Sequence, residues 1–190
     1  MPSTRELRRR IRSVANIKQI TRAMQFVAAS KLKRAQDLTL ASRPYNDMLE
    51  EVLADVASVL GGGDHPLLVR REVHRRCLVV FTSDRGFAGA LNANVIRATV
   101  REIGEHGEEN ITLVVIGRKG RELIRRGHYP MEASFLAYGD RPAFADVLPL
   151  ARLVTDDYLA GAYDAVDLIY SQFVSTLTQR PVVQPKTFGF

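Results

Sequence analysis

Apolar residues recur along the first sixty positions with helical regularity. They run Leu7, Ile11, Val14, Ile17, Ile20, Met24, Ala28, Leu32, Ala35, Leu38, Ala41, Tyr45, Met48, Val52, Val56 and Val59. Their mean spacing is about 3.5 residues, the coiled-coil period rather than the 3.6 of a straight helix. "STRE" at residues 3–6 offers a capping box at the start, with Ser3 accepting from the chain and Glu6 reaching back. Gly61, Gly62 and Gly63 mark the end. A helix of that length extends roughly 85 Å at 1.5 Å per residue. Pro44 removes one backbone donor, so the pattern predicts either one helix kinked near Ser42 or two separate helices. Small residues crowd the heptads (Ala15, Ala23, Ala28, Ala29, Ala35, Ala41). They suit a slim rod, and alanine is also the best helix former.

After "GGGDHP", a candidate hinge, the pattern changes to short β-rich runs alternating with helical ones. Strands are predicted at 76–81, 111–117, 131–137, 165–174 and 180–188. Helices are predicted in "GALNANVIRATVREI", "RKGRELIRR" and "AFADVLPLARLVTDDYLAGAY", the last bent or broken at Pro149. Strand–helix alternation implies parallel pairing with right-handed crossovers. Pro181 and Pro185 put the last strand at an edge. The expected organisation is a shaft helix over 1–60, a linker over 61–75 and an α/β domain of about five strands over 76–190.

Charge sharpens the division. The 190 residues carry a formal +6, but residues 1–36 hold ten Lys or Arg against Glu6 alone, a net +9, leaving −3 for the rest. An acidic protein face or a nucleic acid would both suit the N-terminal segment. No apolar run approaches the roughly 20 residues needed to cross a bilayer. The Arg-rich start lacks the apolar core of a secretory signal. It could pass for a transit peptide, but its apolar register continues into the long helix. The single Cys77 excludes an intrachain disulfide and reads as a core thiol.

Candidate chemistry is thin. "SDRGFAGALN" follows a strand and opens a helix but lacks the G-x-G-x-x-G order, and no phosphate-binding P-loop is present. "IGRKGREL" is either an anion cradle at a helix N-terminus, aided by Arg118 and Lys119, or a tight turn with solvated charges. His65, His74, His106 and His128 fall in expected loops or strand starts, without acids or Cys77 at ligand spacing. Asp156 and Asp157 read as a solvated helix face. Asp84 is the best-placed single acid but has no partner. No catalytic set, cofactor site or metal site is expected.

Four stretches carry a family likeness, one of them "SRPY" at 42–45. In "NIKQITRAMQFVAASKLKRAQ" the string Ile17, Ile20, Thr21, Ala23, Met24, Val27, Ala28, Ala29, Ser30 and Lys31 matches an I-x-x-I-T-x-A-M-x-x-V-A-A-S-K pattern. "TSDRGFAGALNANV" supplies Asp84, Arg85, Gly86, Gly89, Leu91 and Asn92 of a D-R-G-x-x-G-x-L-N pattern, and "FVSTLTQRPVV" fits the end of the same domain. The chain thus resembles the γ subunit of the rotary F-type ATP synthase. That resemblance implies a non-catalytic rotor: a coiled-coil shaft inside the hexamer of α and β subunits, and a Rossmann-like α/β foot. The foot would stand with the ε subunit on the membrane c ring, at the cytoplasmic face of a bacterial cell membrane. Proton flow would turn the shaft and drive each β site through its states, so the membrane is met only through the c ring.

By matched position, Lys18, Arg22, Met24, Lys31, Lys33 and Arg34 would face acidic lever segments of the β subunits. Arg43, Pro44 and Tyr45 would mark the lower shaft near ε and the c ring. The family continues with a long C-terminal helix beyond the position of Phe190, so a fragment or shortened form is expected, its seam lacking an intrachain partner. The rival is a nucleic-acid-binding protein with a basic helix, "RELRRRIR", and an α/β dimerisation domain. Against it, the basic block is interleaved with Leu7, Ile11 and Val14. An enzyme on the α/β sheet is the third possibility and lacks a site.

Overall fold

The computed structural model describes residues 3–60, 66–67, 71–136, 138–139 and 142–185. It divides into two compact units, residues 1–59 and 60–190. Most of the expected hinge and part of the expected linker lie outside the described residues.

The first unit is one helix, α1 (Thr4–Leu60, 57 residues), uninterrupted through Pro44. The alternative of two helices is therefore set aside. Pro44 cannot donate to the carbonyl four residues before it, and the turns just ahead carry hydroxyl back-bonds. Thr39 Oγ1 donates to the Ala35 carbonyl at 2.8 Å, and Ser42 Oγ to that of Thr39 at 3.1 Å. Half of the capping box forms. The Glu6 N–H donates to Ser3 Oγ at 3.3 Å, while the Glu6 carboxylate turns forward to Arg10 at 2.7 Å. The apolar ladder is open: Leu7, Ile11, Val14, Ile17, Ile20, Met24, Leu32 and Leu38 are all exposed, Ile11 at 69%.

The second unit is a five-stranded sheet in the order β3-β2-β1-β4-β5, built from β1 (Arg76–Phe81), β2 (Ile111–Ile116), β3 (Ala133–Phe135), β4 (Ala165–Phe173) and β5 (Gln179–Pro185). The first four are mutually parallel and β5 runs antiparallel to β4. Between them lie α2 (Leu91–His106), α3 (Arg118–Arg126) and α4 (Phe144–Leu159). Central parallel strands are covered on both faces, which is why β1 and β2 read as continuous apolar runs. Their side chains alternate between two cores. Leu78, Val80, Leu113, Val115 and Ile169 pack with Val95, Ala98 and Ile103 of α2 and Ile124 of α3. Cys77, Val79, Val114, Ile116 and Val166 pack with Leu150, Val154 and Tyr158 of α4.

Several boundaries differ from expectation. β3 is three residues and not seven. The second helix starts at Leu91, because the preceding Gly89 sits at φ +57°. α4 is neither broken nor ended at Pro149; Pro149 lies inside it, and it stops at Leu159 rather than Tyr163. Tyr163 instead turns back, its hydroxyl donating to the Val154 carbonyl at 2.9 Å. β5 begins at Gln179, and residues 186–188 of the expected strand lie outside the described residues.

Candidate partner-binding surfaces

Every residue matched to a contact role lies on α1, and all nine are exposed. Helical spacing distributes them over more than one face. Lys18, Arg22 and Lys33, four and eleven residues apart, share a side. Met24 and Lys31, seven apart, fall on the apolar seam with Ile17 and Ile20. Lys33 is held by Asp37 at 2.9 Å, a pair typical of a solvated helix face. Arg43, Pro44 and Tyr45 are consecutive and so point about 100° apart. α1 thus presents cations beside an uncovered apolar ladder.

In the α/β unit, the "TSDRGFAGALN" segment has a structural task that its spacing did not reveal. The first N–H groups of a helix lack intrahelical partners. At α3, Arg118 N–H donates to Asp84 Oδ1 at 3.0 Å, Lys119 N–H to the Ser83 carbonyl at 3.0 Å, and Gly120 N–H to Thr82 Oγ1 at 2.8 Å. Thr82 Oγ1 in turn donates to the Ile116 carbonyl at 2.8 Å. Of the two readings of this turn, the anion cradle is set aside because the protein itself fills it, and Asp84 is a helix cap rather than a single unpartnered acid. Asn92 closes the loop, its Oδ1 accepting from Ser83 N–H at 3.0 Å and its Nδ2 donating to Ser83 Oγ at 2.8 Å. Gly117 is required here: at φ +96° a Cβ would overlap the Thr82 carbonyl oxygen. A signal was available in the sequence, since Thr-Ser-Asp before one helix and Gly-x-x-Gly around the next are capping and close-approach residues.

Two further expectations are corrected. His106 does not lie in a loop or without acids; it ends α2, where its ring and the Glu102 and Glu105 carboxylates place three ligand atoms within 4.8 Å of one another. Arg101 already contacts both acids, at 3.2 Å and 3.6 Å, so this cluster is an ion-pair network in which a metal ion would meet a guanidinium. Asp157 is half-buried rather than on a solvated face, unlike the exposed Asp156. Its Oδ2 is buried with no hydrogen-bond partner among the described residues.

The electrostatics of this unit follow from burial. Desolvation pushes the Cys77 thiol up to about 12, which keeps it an inert core group. Burial and then the Asp157 charge raise Glu132. Burial also raises Asp167, against the pull of Arg76 Nη1 3.0 Å from it. Asp164 moves the other way, held below the usual carboxylate range by the N–H groups of Arg75 at 2.9 Å and His74 at 3.0 Å. Cys77, Glu132 and Asp157 lie close enough for their charges to act on one another, but among the described residues none of these groups forms a nucleophile–base arrangement in a cleft. No helix of the described residues is long and apolar enough to cross a membrane.

Comparison with known proteins agrees with the geometry. The ATP synthase family model matches residues 3–187. The chain is 45% identical over 186 residues to the ATP synthase gamma chain of Dehalococcoides mccartyi, covering 97% of this chain and 65% of that one. It is 46% identical over 188 residues to the ATP synthase gamma chain of Roseiflexus sp. strain RS-1, with the same two shares. The chain thus spans slightly less than two thirds of those relatives. Among solved structures, the central stalk/c-ring of the Tetrahymena thermophila mitochondrial ATP synthase superposes with a TM-score of 0.70 at 25% identity, over 88% of this chain and 72% of that one.

Proposed function

The chain belongs to the gamma subunit family of ATP synthase, and from that premise we propose that it acts as a central-stalk rotor element. The observation that carries this proposal is α1: 57 residues of continuous helix whose apolar ladder is uncovered and flanked by cations. A helix of this kind needs partners on more than one side. The seam calls for a packed helix, while the cations call for acidic surfaces with weak, salt-sensitive contacts.

In this proposal Lys18, Arg22, Lys31, Lys33 and Arg34 face acidic lever segments of the β subunits as the shaft turns, with Met24 at the seam between them. Arg43, Pro44 and Tyr45 lie low on the shaft, toward ε and the c ring. The α/β unit is the foot, and the membrane is met through the c ring at the cytoplasmic face. ATP synthesis and hydrolysis belong to the β subunits, and this chain transmits proton-driven rotation to them. The nucleic-acid alternative has no support from the family match.

The test is Met24→Lys in a complete, membrane-assembled complex. Because Met24 is 66% exposed on α1, the isolated variant chain should melt at an unchanged midpoint, while in the assembled complex proton-driven ATP synthesis falls several-fold. Wild-type synthesis rates in that variant would count against the assignment.

A further inference from the structure

We propose that the outward face of α3 is a docking surface for an acidic polypeptide segment of another chain. This goes beyond the rotor proposal and does not depend on it. The nine residues of α3 carry five cations (Arg118, Lys119, Arg121, Arg125 and Arg126) against one acid, Glu122, a net +4. Gly120 and Ile124 face the core, which turns positions 118, 122 and 125 to the opposite side. Arg118, Arg125 and Arg126 are exposed, and Arg121, Glu122, Arg125 and Arg126 line an open recess of about 330 Å³.

The one acid of α3 itself is already engaged. Glu122 pairs with Lys119 at 2.9 Å, and that bond, with the charges of Lys119, Arg126 and Arg118, holds its carboxyl below the ordinary range. Four guanidinium groups of α3 thus have one carboxylate on their own helix, already paired, and Asp84 beside them already accepts from the Arg118 N–H. Arg118 and Arg121, and Arg121 and Arg125, stand at like-charge helical spacings that weaken the helix slightly. An external acid relieves that repulsion.

The chemistry favours carboxylates on a polypeptide over phosphate or lipid. Phosphate sites at helices use the N-terminal N–H groups, and those of α3 are taken by Asp84, Ser83 and Thr82. What remains is a row of planar forks from residue 118 to 125, about 10 Å long at 1.5 Å per residue. That span exceeds one phosphate and suits two or three carboxylates presented on successive turns or alternate strand positions. The exposed side offers no apolar residue for a bilayer, since Ile124 is buried and Leu123 half-buried.

The experiment uses the full 190-residue chain and a fluorescein-labelled helical peptide with glutamates spaced i, i+4, i+7, followed by anisotropy at about 50 mM salt, where screening is weak. Replacing the four arginines of α3 with glutamine should weaken binding about tenfold or more, and returning them as lysine should restore part of it. A matched glutamine peptide should not bind. A loss below about threefold in the glutamine variant overturns the proposal, since the peptide would then sit on α1 instead. So would pelleting of the chain with vesicles containing phosphatidylglycerol that depends on these arginines while peptide binding does not. Should the quadruple variant lose its cooperative melt, Arg125→Gln with Arg126→Gln, both at exposed positions, decides the same question at the same threshold.

Discussion

α1 and the α/β unit use the same raw material, rows of aliphatic residues at regular spacing, with opposite outcomes. In the α/β unit, Leu78, Val80, Val115, Ile124 and Ile169 are sealed by α2, α3 and the neighbouring strands. In α1, Ile11, Ile17, Ile20, Met24 and Leu38 remain at 58–69% exposure. The strength of an apolar pattern therefore says that a face will be covered, but not by what. The α/β unit covers its apolar rows with its own residues, whereas the helix carries a seam that stays open. One region seals its apolar rows and the other leaves its row exposed.

The comparison breaks most visibly at Gly117. Gly117→Ala forces a Cβ into the Thr82 carbonyl at a left-handed φ. The α/β unit should lose roughly 3 kcal/mol or more, read as a fall in the urea midpoint by the fluorescence of the buried Tyr158 and Tyr163. The helical circular dichroism signal of α1 should survive the substitution. A paired truncation then sharpens the contrast. Leu78→Ala removes a fully buried side chain and should cost about 2–5 kcal/mol. Leu38→Ala on α1 should stay within about 0.5 kcal/mol, because it exchanges an exposed residue for a better helix former.

Smaller effects come from the polar ties. Asp164→Ala removes the acceptor for His74 and Arg75 and should cost about 1–2 kcal/mol at neutral pH. Its folded-state pKa is depressed, so its contribution is present above the unfolded value near 4 and lost as pH falls through the folded one. The gap between variant and wild type, from urea melts, should therefore close on acidification. Asp167 has a raised pKa from burial, so its ionisation costs stability as pH rises above about 4. It should leave the acid limb less steep than Asp164 alone would make it.

Much of this arrangement was legible in the residues. Apolar β-rich runs at 76–81 and 111–117, each followed by a helical pattern, pointed to parallel strands, and Pro181 and Pro185 placed β5 at the edge. The 3.5-residue ladder pointed to α1. What escaped was tertiary. Pro149 is tolerated inside α4, where packing of Leu150, Val154 and Tyr158 on the sheet outweighs one missing backbone donor. Asp84 looked isolated because its partner, the Arg118 N–H, lies 34 residues away. His106 and its acids were readable at i−4 and i−1 on a helix, but the helix was expected to end at Ile103. The contact roles assigned along α1 came from matched motifs alone, since a solvated face and a binding face carry the same cations.

The most direct test is hydrogen exchange followed by mass spectrometry on the isolated 190-residue chain. An uncovered helix opens locally at little cost, whereas core strands open only with the whole unit. Amides of β1, β2 and β4 should exchange at least about a hundredfold more slowly than those of α1 around Ile17 to Leu38. Protection of α1 equal to that of β1 in the isolated chain would contradict the account, because the seam would then already be covered.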